Sequence, residues 1–297
     1  MSDWTPSPTG RSDWRLRLLV GSILRYYPAM PLKLAFSILL KRRQIPMWSG
    51  EIEILNHESD DLIFIRIGDF RYCVPSALVT NERTLRMEYA AVWDLSTMND
   101  HRYQFGRCLI RPGDVVVDAG ACEGFFTRFA LEKGASKVIA VEPMQQMYKC
   151  LLITFEDEIR KGMVEIRQLC IGDKKGVVPM EGDPKHPEAF RRADEASSGQ
   201  DCEIVPMDTL DNVIERGCDF LKMDIEGSEV LALKSSVSLR TFQKMRMAIT
   251  TYHRETDGAA IKKIVAAHFP RHVVQLKGMS WPGGKKPRPK MLYAWPS

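Results

Sequence analysis

From residue 107 onward, short apolar runs alternate with helix-length amphipathic segments. The runs Val115–Ala119, Lys137–Val141, Val164–Leu169, Asp219–Met223, Met245–Thr251, His272–Leu276 and Met291–Ala294 predict strands. Segments near 124–133, 144–160, 228–240 and 258–269 predict helices. Such alternation predicts a mainly parallel sheet covered on both faces. Residues 173–203 interrupt it with Gly, Pro and charge, and they predict a loop or lid.

Upstream the pattern is different. Leu16, Leu19, Val20, Ile23, Leu24 and Tyr27 recur at helical spacing, and Pro28 ends that helix. Pro31 suits the first turn of a second helix over 31–41, where Lys33, Ser37 and Lys41 form one thin polar strip. Residues 62–67 and 70–74 predict a hairpin around Gly68-Asp69, followed by a helix over 82–98. Three parts are therefore expected: a basic amphipathic helical arm over 1–45, a β-rich and helical prelude over 46–105 packing on the core, and an α/β domain over 106–297.

Composition adds little until its distribution is read. The chain has 297 residues, 44% apolar and 27% charged, which suits a globular fold and excludes disordered, collagen-like and disulfide-scaffold classes. The net charge of +4 conceals +6 over residues 1–50, −10 over 51–257 and +8 over 258–297. Two basic ends flanking an acidic body hint at an anionic partner for the ends. Seven cysteines with no CxxC spacing exclude zinc ribbons and thioredoxin-like motifs, and they predict reduced thiols in a cytoplasmic setting. The first dozen residues lack the apolar core of a signal peptide. Arg17, Arg25 and Lys33 break the apolar stretch 16–40 and argue against a spanning helix.

Three stretches carry chemistry. In Asp118-Ala119-Gly120-Ala121-Cys122-Glu123-Gly124 an apolar strand runs into a glycine turn and a helix start. Such a turn lets backbone approach a ligand, although a purely structural turn fits as well. Its spacing is not the dinucleotide G-x-G-x-x-G fingerprint. Glu142 ends the next strand, where doubly wound folds place the acid that takes ribose hydroxyls. In Lys222-Met223-Asp224-Ile225-Glu226-Gly227-Ser228-Glu229 three carboxylates lie within six residues at a strand end. They need a nearby positive group, whether a sulfonium, a metal, a basic substrate or the helix N-terminus.

In this order, DAGACEG, AVEP and KMDIEGSE resemble the FkbM-type family of S-adenosylmethionine-dependent methyltransferases, over roughly residues 105–297. The resemblance implies a class I, Rossmann-like fold: a seven-stranded, mainly parallel sheet with an antiparallel last strand. It implies S-adenosyl-L-methionine as cofactor and methyl transfer to a hydroxyl-bearing acceptor. Asp118, Gly120, Ala121 and Gly124 match the family's cofactor loop, Glu142 its ribose acid, and Ile171-Gly172-Asp173 the segment near the adenine. Residues 206–211 resemble the family's strand-plus-LDD stretch, which ends in Asn212 here. Cys122 stands where the family often has Asn.

An alcohol acceptor needs a base. Asp224 at its strand end and His253 after the next strand are the two candidates, with Glu226 beside them. Asp224, Glu226 and His253 holding a divalent ion is a further reading that no spacing compels. Two competing functions stand beside methyl transfer. An NAD-linked oxidoreductase is disfavoured by the missing fingerprint. An RNA-binding or RNA-modifying protein draws on the basic segment 277–290 but shows no RRM, KH or zinc-knuckle signature. The arm over 14–43 suggests peripheral contact with an anionic membrane and a small-molecule, glycan or lipid-linked acceptor.

Overall fold

A computed structural model of the chain describes residues 47–59, 61–96, 99–182, 191–192, 202–280 and 288–297. The expected arm over 1–45, with its membrane contact, lies outside the described residues. So do most of 183–201 and part of the basic segment 277–290.

Seven strands make the central sheet: β4 (Val115–Ala119), β5 (Lys137–Val141), β6 (Val164–Arg167), β11 (Phe220–Met223), β12 (Arg246–Thr250), β13 (His272–Ser280) and β14 (Arg288–Pro296). Their order is β13-β14-β12-β11-β4-β5-β6. Every pairing among β12, β11, β4, β5 and β6 is parallel, and β14 runs antiparallel to both its neighbours. This is a Rossmann-like sheet with an antiparallel last strand, as the pattern and the resemblance implied.

Successive residues on each strand serve opposite layers. Val117, Ala119, Ile139, Val141, Leu221 and Met223 pack in one core with α6 (Leu210–Ile214), α7 (Glu229–Ser235) and α8 (Asp257–His268). Val116, Val138, Ala140 and Phe220 pack in the other, against α3 (Phe125–Glu132). Burial on both faces explains why the strands read as continuous apolar runs.

The N-terminal sheet of β1 (Ile52–His57), β2 (Leu62–Ile67) and β3 (Phe70–Pro75) is antiparallel, with the Gly68-Asp69 turn where expected. After α1 (Ser76–Thr80), α2 (Glu82–Trp93) closes over α3. Tyr72 and Tyr89 meet Phe125 edge-on at 4.9 and 5.2 Å, and Trp93 meets Phe129 at 5.3 Å, so prelude and sheet share one core. Helix α2 stops at Trp93 rather than 98. The buried Asn99 amide donates to the carbonyls of Ala90, Ala91 and Asp94 at 2.7–3.1 Å, taking up the helix's last acceptors.

Three other expectations are corrected. The helix over 144–160 is two, α4 (Gln145–Thr154) and α5 (Glu156–Arg160), broken at Phe155, which is fully buried. The helix over 228–240 ends at Ser235. Asp211 accepts from Val237 N at 2.8 Å, Ser238 N at 3.1 Å and the Ser236 hydroxyl, so side-chain bonds replace the helical ones. The stretch 173–203 is not wholly loop. β8 (Gly176–Glu181) and β10 (Cys202–Thr209) pair antiparallel, and with β7 (Cys170–Gly172) and β9 (Arg191–Arg192) they form a second, four-stranded sheet. Among the described residues no helix is long and apolar enough to cross a membrane.

Candidate active site

The turn after β4 is built where two strand ends meet. Gly120 has φ +80°, and a Cβ there would lie 1.8 Å from the Asp224 carbonyl oxygen. Glycine is required because β4 and β11 converge, whatever approaches from outside. Gly120 and Ala121 donate their N–H groups to the Val141 carbonyl, both at 3.0 Å, which ties this turn to the end of β5. Cys122 follows with φ +47°, and its N–H donates to Glu142 Oε2 at 3.1 Å. The other oxygen of Glu142 accepts from Met144 N at 3.0 Å. Burial pushes this carboxyl up to about 7, with the two backbone donors and Lys222 pulling the other way.

Beneath the turn, Asp118 and Lys222 face each other across β4 and β11, with Nζ 3.0 Å from Oδ1. Thr127 donates to the other oxygen at 2.7 Å. Asp118 is 0% exposed. Burial would strip the Lys222 proton, but Asp118 and Asp224 hold the ammonium above its ordinary pKa. Lys222 also donates to the Gly120 carbonyl. Asp118 is thus paired with a cation of the chain itself, beneath the turn.

Asp224, just beyond β11, is surrounded by donors. Tyr103 Oη donates to Oδ2 at 2.7 Å and Thr250 Oγ1 to Oδ1 at 2.9 Å. His253 Nε2 lies 3.3 Å from Oδ1 and His101 Nε2 3.5 Å from Oδ2. Burial raises the Asp224 carboxyl, yet His101, His253 and Lys222 outweigh it and hold the carboxyl well below the usual carboxylate range. His253 also places Nδ1 2.9 Å from Glu229 and Nε2 3.5 Å from Glu226. Burial alone would neutralise this imidazole, but Glu229, Glu226 and Asp224 keep its pKa well above normal. His101 behaves oppositely: burial, aided by Lys290, lowers it to about 4 against the pull of Asp224.

The positive group that the three carboxylates require is thus an imidazolium. Asp224, Glu229 and His253 also bring one ligand atom each within 4.8 Å of one another, a spacing compatible with a metal ion. His253 Nε2 and Nδ1 lie 3.3 Å from Asp224 and 2.9 Å from Glu229, and the Lys222 ammonium also acts on Asp224, so the chain's own cations offset part of the cluster's negative charge.

These groups border a cleft of about 300 Å³ at the carboxyl ends of β4, β5 and β11. Of the residues singled out from sequence, Gly120, Ala121, Cys122, Glu142, Ile171, Asp224 and Glu226 line it. Asp118, Gly124, Asp173 and His253 do not. Asp118 lies under the turn. The space beside Gly124 is taken by Phe155 and Leu151, 2.5 and 2.9 Å from where a Cβ would sit. Asp173 is 3.6 Å from Arg192 on the second sheet. His253 stands behind Asp224. Thr84 and Glu88 of α2, Tyr103, Lys222, Tyr252 and Met180 also line the cleft and were not anticipated. Thr84 and Glu88 do carry a signal, being one helical turn apart, whereas Tyr103 arrives on irregular chain with none.

The family model for the methyltransferase FkbM domain matches residues 118–274. Comparison with curated proteins gives no match. Among solved structures, methyltransferase FkbM from Methylobacillus flagellatus KT is similar at 18% identity and TM-score 0.47, over 74% of this chain and 53% of that one. Trm5b from Pyrococcus abyssi is similar at 12% identity and TM-score 0.43, over 80% and 56%. The tRNA methyltransferase TrmK of B. subtilis is similar at 14% identity and TM-score 0.38, over 66% and 68%. The chain spans about half the length of the first of these. With more than half of its residues matched by that family model, including the glycine turn, Glu142 and the Asp224–Glu229 cluster, the chain belongs to the methyltransferase FkbM domain family.

Proposed function

We propose that the cleft binds S-adenosyl-L-methionine and that the protein transfers the methyl group to a hydroxyl oxygen. The observation that carries this reading is the convergence of the Gly120–Cys122 turn, Glu142 and Asp224 on one cleft at the strand ends. The residues fit the cofactor. Glu142 is a buried carboxylate facing the cleft with raised proton affinity, and two ribose hydroxyls would donate to it. Leu169, Ile171 and Met180 offer an apolar wall to a flat base.

When bound, the cofactor supplies a methyl group already activated on a sulfonium. The protein's part is alignment, electrostatics and removal of a proton. Asp224, tied down by its four neighbours, keeps its negative charge toward a cationic ligand. Its donors make it a poor base, and protonated His253 is none. Glu226 lines the same cleft with φ +53°, an uncommon conformation for a residue with a side chain, and we assign it the acceptor's proton. Thr84, Glu88, Tyr103 and Tyr252 form the acceptor side. Its hydroxyls and the Glu88 carboxyl suit a neutral hydroxyl compound.

Two measurements test this. S-adenosylhomocysteine raises the melting temperature and NAD does not; no shift with the former sinks the cofactor assignment. The second is pH-dependent. Glu142 is raised in the ligand-free protein, so its protonated form contributes stability below the ordinary carboxyl pKa, and this is lost as pH rises through about 7. The ionised form accepts the ribose hydroxyls, so S-adenosylhomocysteine binding measured by calorimetry tightens between about pH 6 and 8. Glu142→Gln binds more weakly and with a flat profile over that range. An equally steep profile in the variant assigns the titration elsewhere.

A further inference from the structure

Away from the cleft, β3 packs on α4, and two thiols meet across that contact. Cys73 Sγ lies 3.8 Å from Cys150 Sγ. Cys73 is 0% exposed and Cys150 1%. Leu62 and Phe64 complete a small apolar cluster, with the partly buried Leu55 and Ile153 at its edge. The Cys73 N–H donates to Thr154 Oγ1 at 2.9 Å, pinning the end of α4 to β3 and holding the sulfurs opposite each other. None of the other five cysteines has a thiol partner among the described contacts, and Cys108 turns its sulfur to the Met247 carbonyl at 3.1 Å.

We propose that Cys73 and Cys150 are an oxidisable pair that closes into a disulfide, joining the N-terminal sheet to the helix that follows the Glu142 turn. A disulfide needs its sulfurs about 2.05 Å apart, so side-chain rotation of one or both thiols must bring them together. The two residues are far apart in sequence but in contact in space, the arrangement in which a cross-link most restricts the unfolded chain. The contact with Cys150 lowers the Cys73 pKa despite burial, and the pair's geometry sets its sulfurs opposite each other.

With hydrogen peroxide as oxidant, the Cys73 thiolate attacks one peroxide oxygen. The O–O bond breaks, hydroxide leaves and takes a proton, and Cys73 becomes a sulfenic acid. The Cys150 sulfur then attacks the Cys73 sulfur. The S–S bond forms, the S–O bond breaks and a second water leaves. Two thiols give up two electrons, and one peroxide becomes two waters. Both thiols are buried, so the oxidant reaches them when the β3–α4 contact opens locally.

The test uses the full-length folded protein and does not depend on methyl transfer. After peroxide treatment, the protein is denatured, alkylated and digested for mass spectrometry. Two of the seven thiols are lost to alkylation, a Cys73–Cys150 linked peptide appears, and dithiothreitol reverses both. The melting temperature rises by about 5 °C. In Cys150→Ala the linked peptide is absent and all six remaining thiols stay alkylatable, because Cys73 has lost both its partner sulfur and the contact that lowers its pKa. Cys73→Ala behaves the same way, and if either variant fails to fold, the other decides. Seven alkylatable thiols after peroxide, or thiol loss without the linked peptide in protein of native circular dichroism, overturns the proposal.

Discussion

Lys222→Met destabilises the protein by about 3–5 kcal/mol, read as a fall in the urea midpoint. The methionine fills much of the lysine's volume, so the cost is electrostatic. Asp118 is fully buried and has two charge-relevant partners, the Lys222 ammonium at 3.0 Å and the Thr127 hydroxyl at 2.7 Å. Without the ammonium it must either hold an uncompensated charge in the core or take up a proton. The Gly120 carbonyl loses a donor as well. Asp118→Asn in the same chain removes the stranded charge, so the double variant regains much of the loss. That recovery separates a broken ion pair from simple mispacking, since mispacking would persist in both variants. An unchanged midpoint in Lys222→Met removes the claim that this pair holds β4 to β11.

Asp224→Asn lowers the transfer of labelled methyl groups by about 100-fold or more, while the S-adenosylhomocysteine-induced melting shift persists. The substitution keeps shape and one acceptor oxygen. It removes a negative charge that Tyr103, Thr250, His101 and His253 hold in place at the cleft wall. A fixed carboxylate in a poorly solvated site acts strongly on a cationic ligand and on the charge that shifts during transfer. The same change takes one anion from His253, whose pKa falls, and proton NMR of the imidazole would show that fall. Turnover equal to wild type refutes the role given to Asp224. A transfer defect without any change at His253 keeps the catalytic role and refutes the coupling.

Much of the fold was legible because burial on both sheet faces writes itself as apolar runs. Val115–Ala119 and Lys137–Val141 came out residue for residue, since an unsatisfied strand there has no alternative partner. The ends of α2 and α7 were not legible. Asn99 and Asp211 end them through side chains distant in sequence or placed by the fold. β8 was hidden because Val177 and Pro179 face outward among glycine and lysine, leaving only Val178 and Met180 as an inward pair.

The site divides in the same way. Gly120, Glu142, Asp224 and Glu226 stand at strand ends or in turns, so chain order and the direction of a parallel sheet already place them on one rim. The state of each group is another matter. Asp224 and His253 look like interchangeable bases in the sequence. Their packing makes one a carboxylate held far below its usual range and the other an imidazolium, because a pKa depends on which charges lie within a few ångströms. His101 and Tyr103 reach the cluster from irregular chain that no periodicity marks. Apolar runs and motif order were enough for the sheet, its rim and the family. Three-dimensional packing was needed to pair Lys222 with Asp118, to set His253 among three carboxylates and to bring α2 to the wall of the cleft. Apolar periodicity is a local property of the chain, whereas electrostatic partnership is a distance in space.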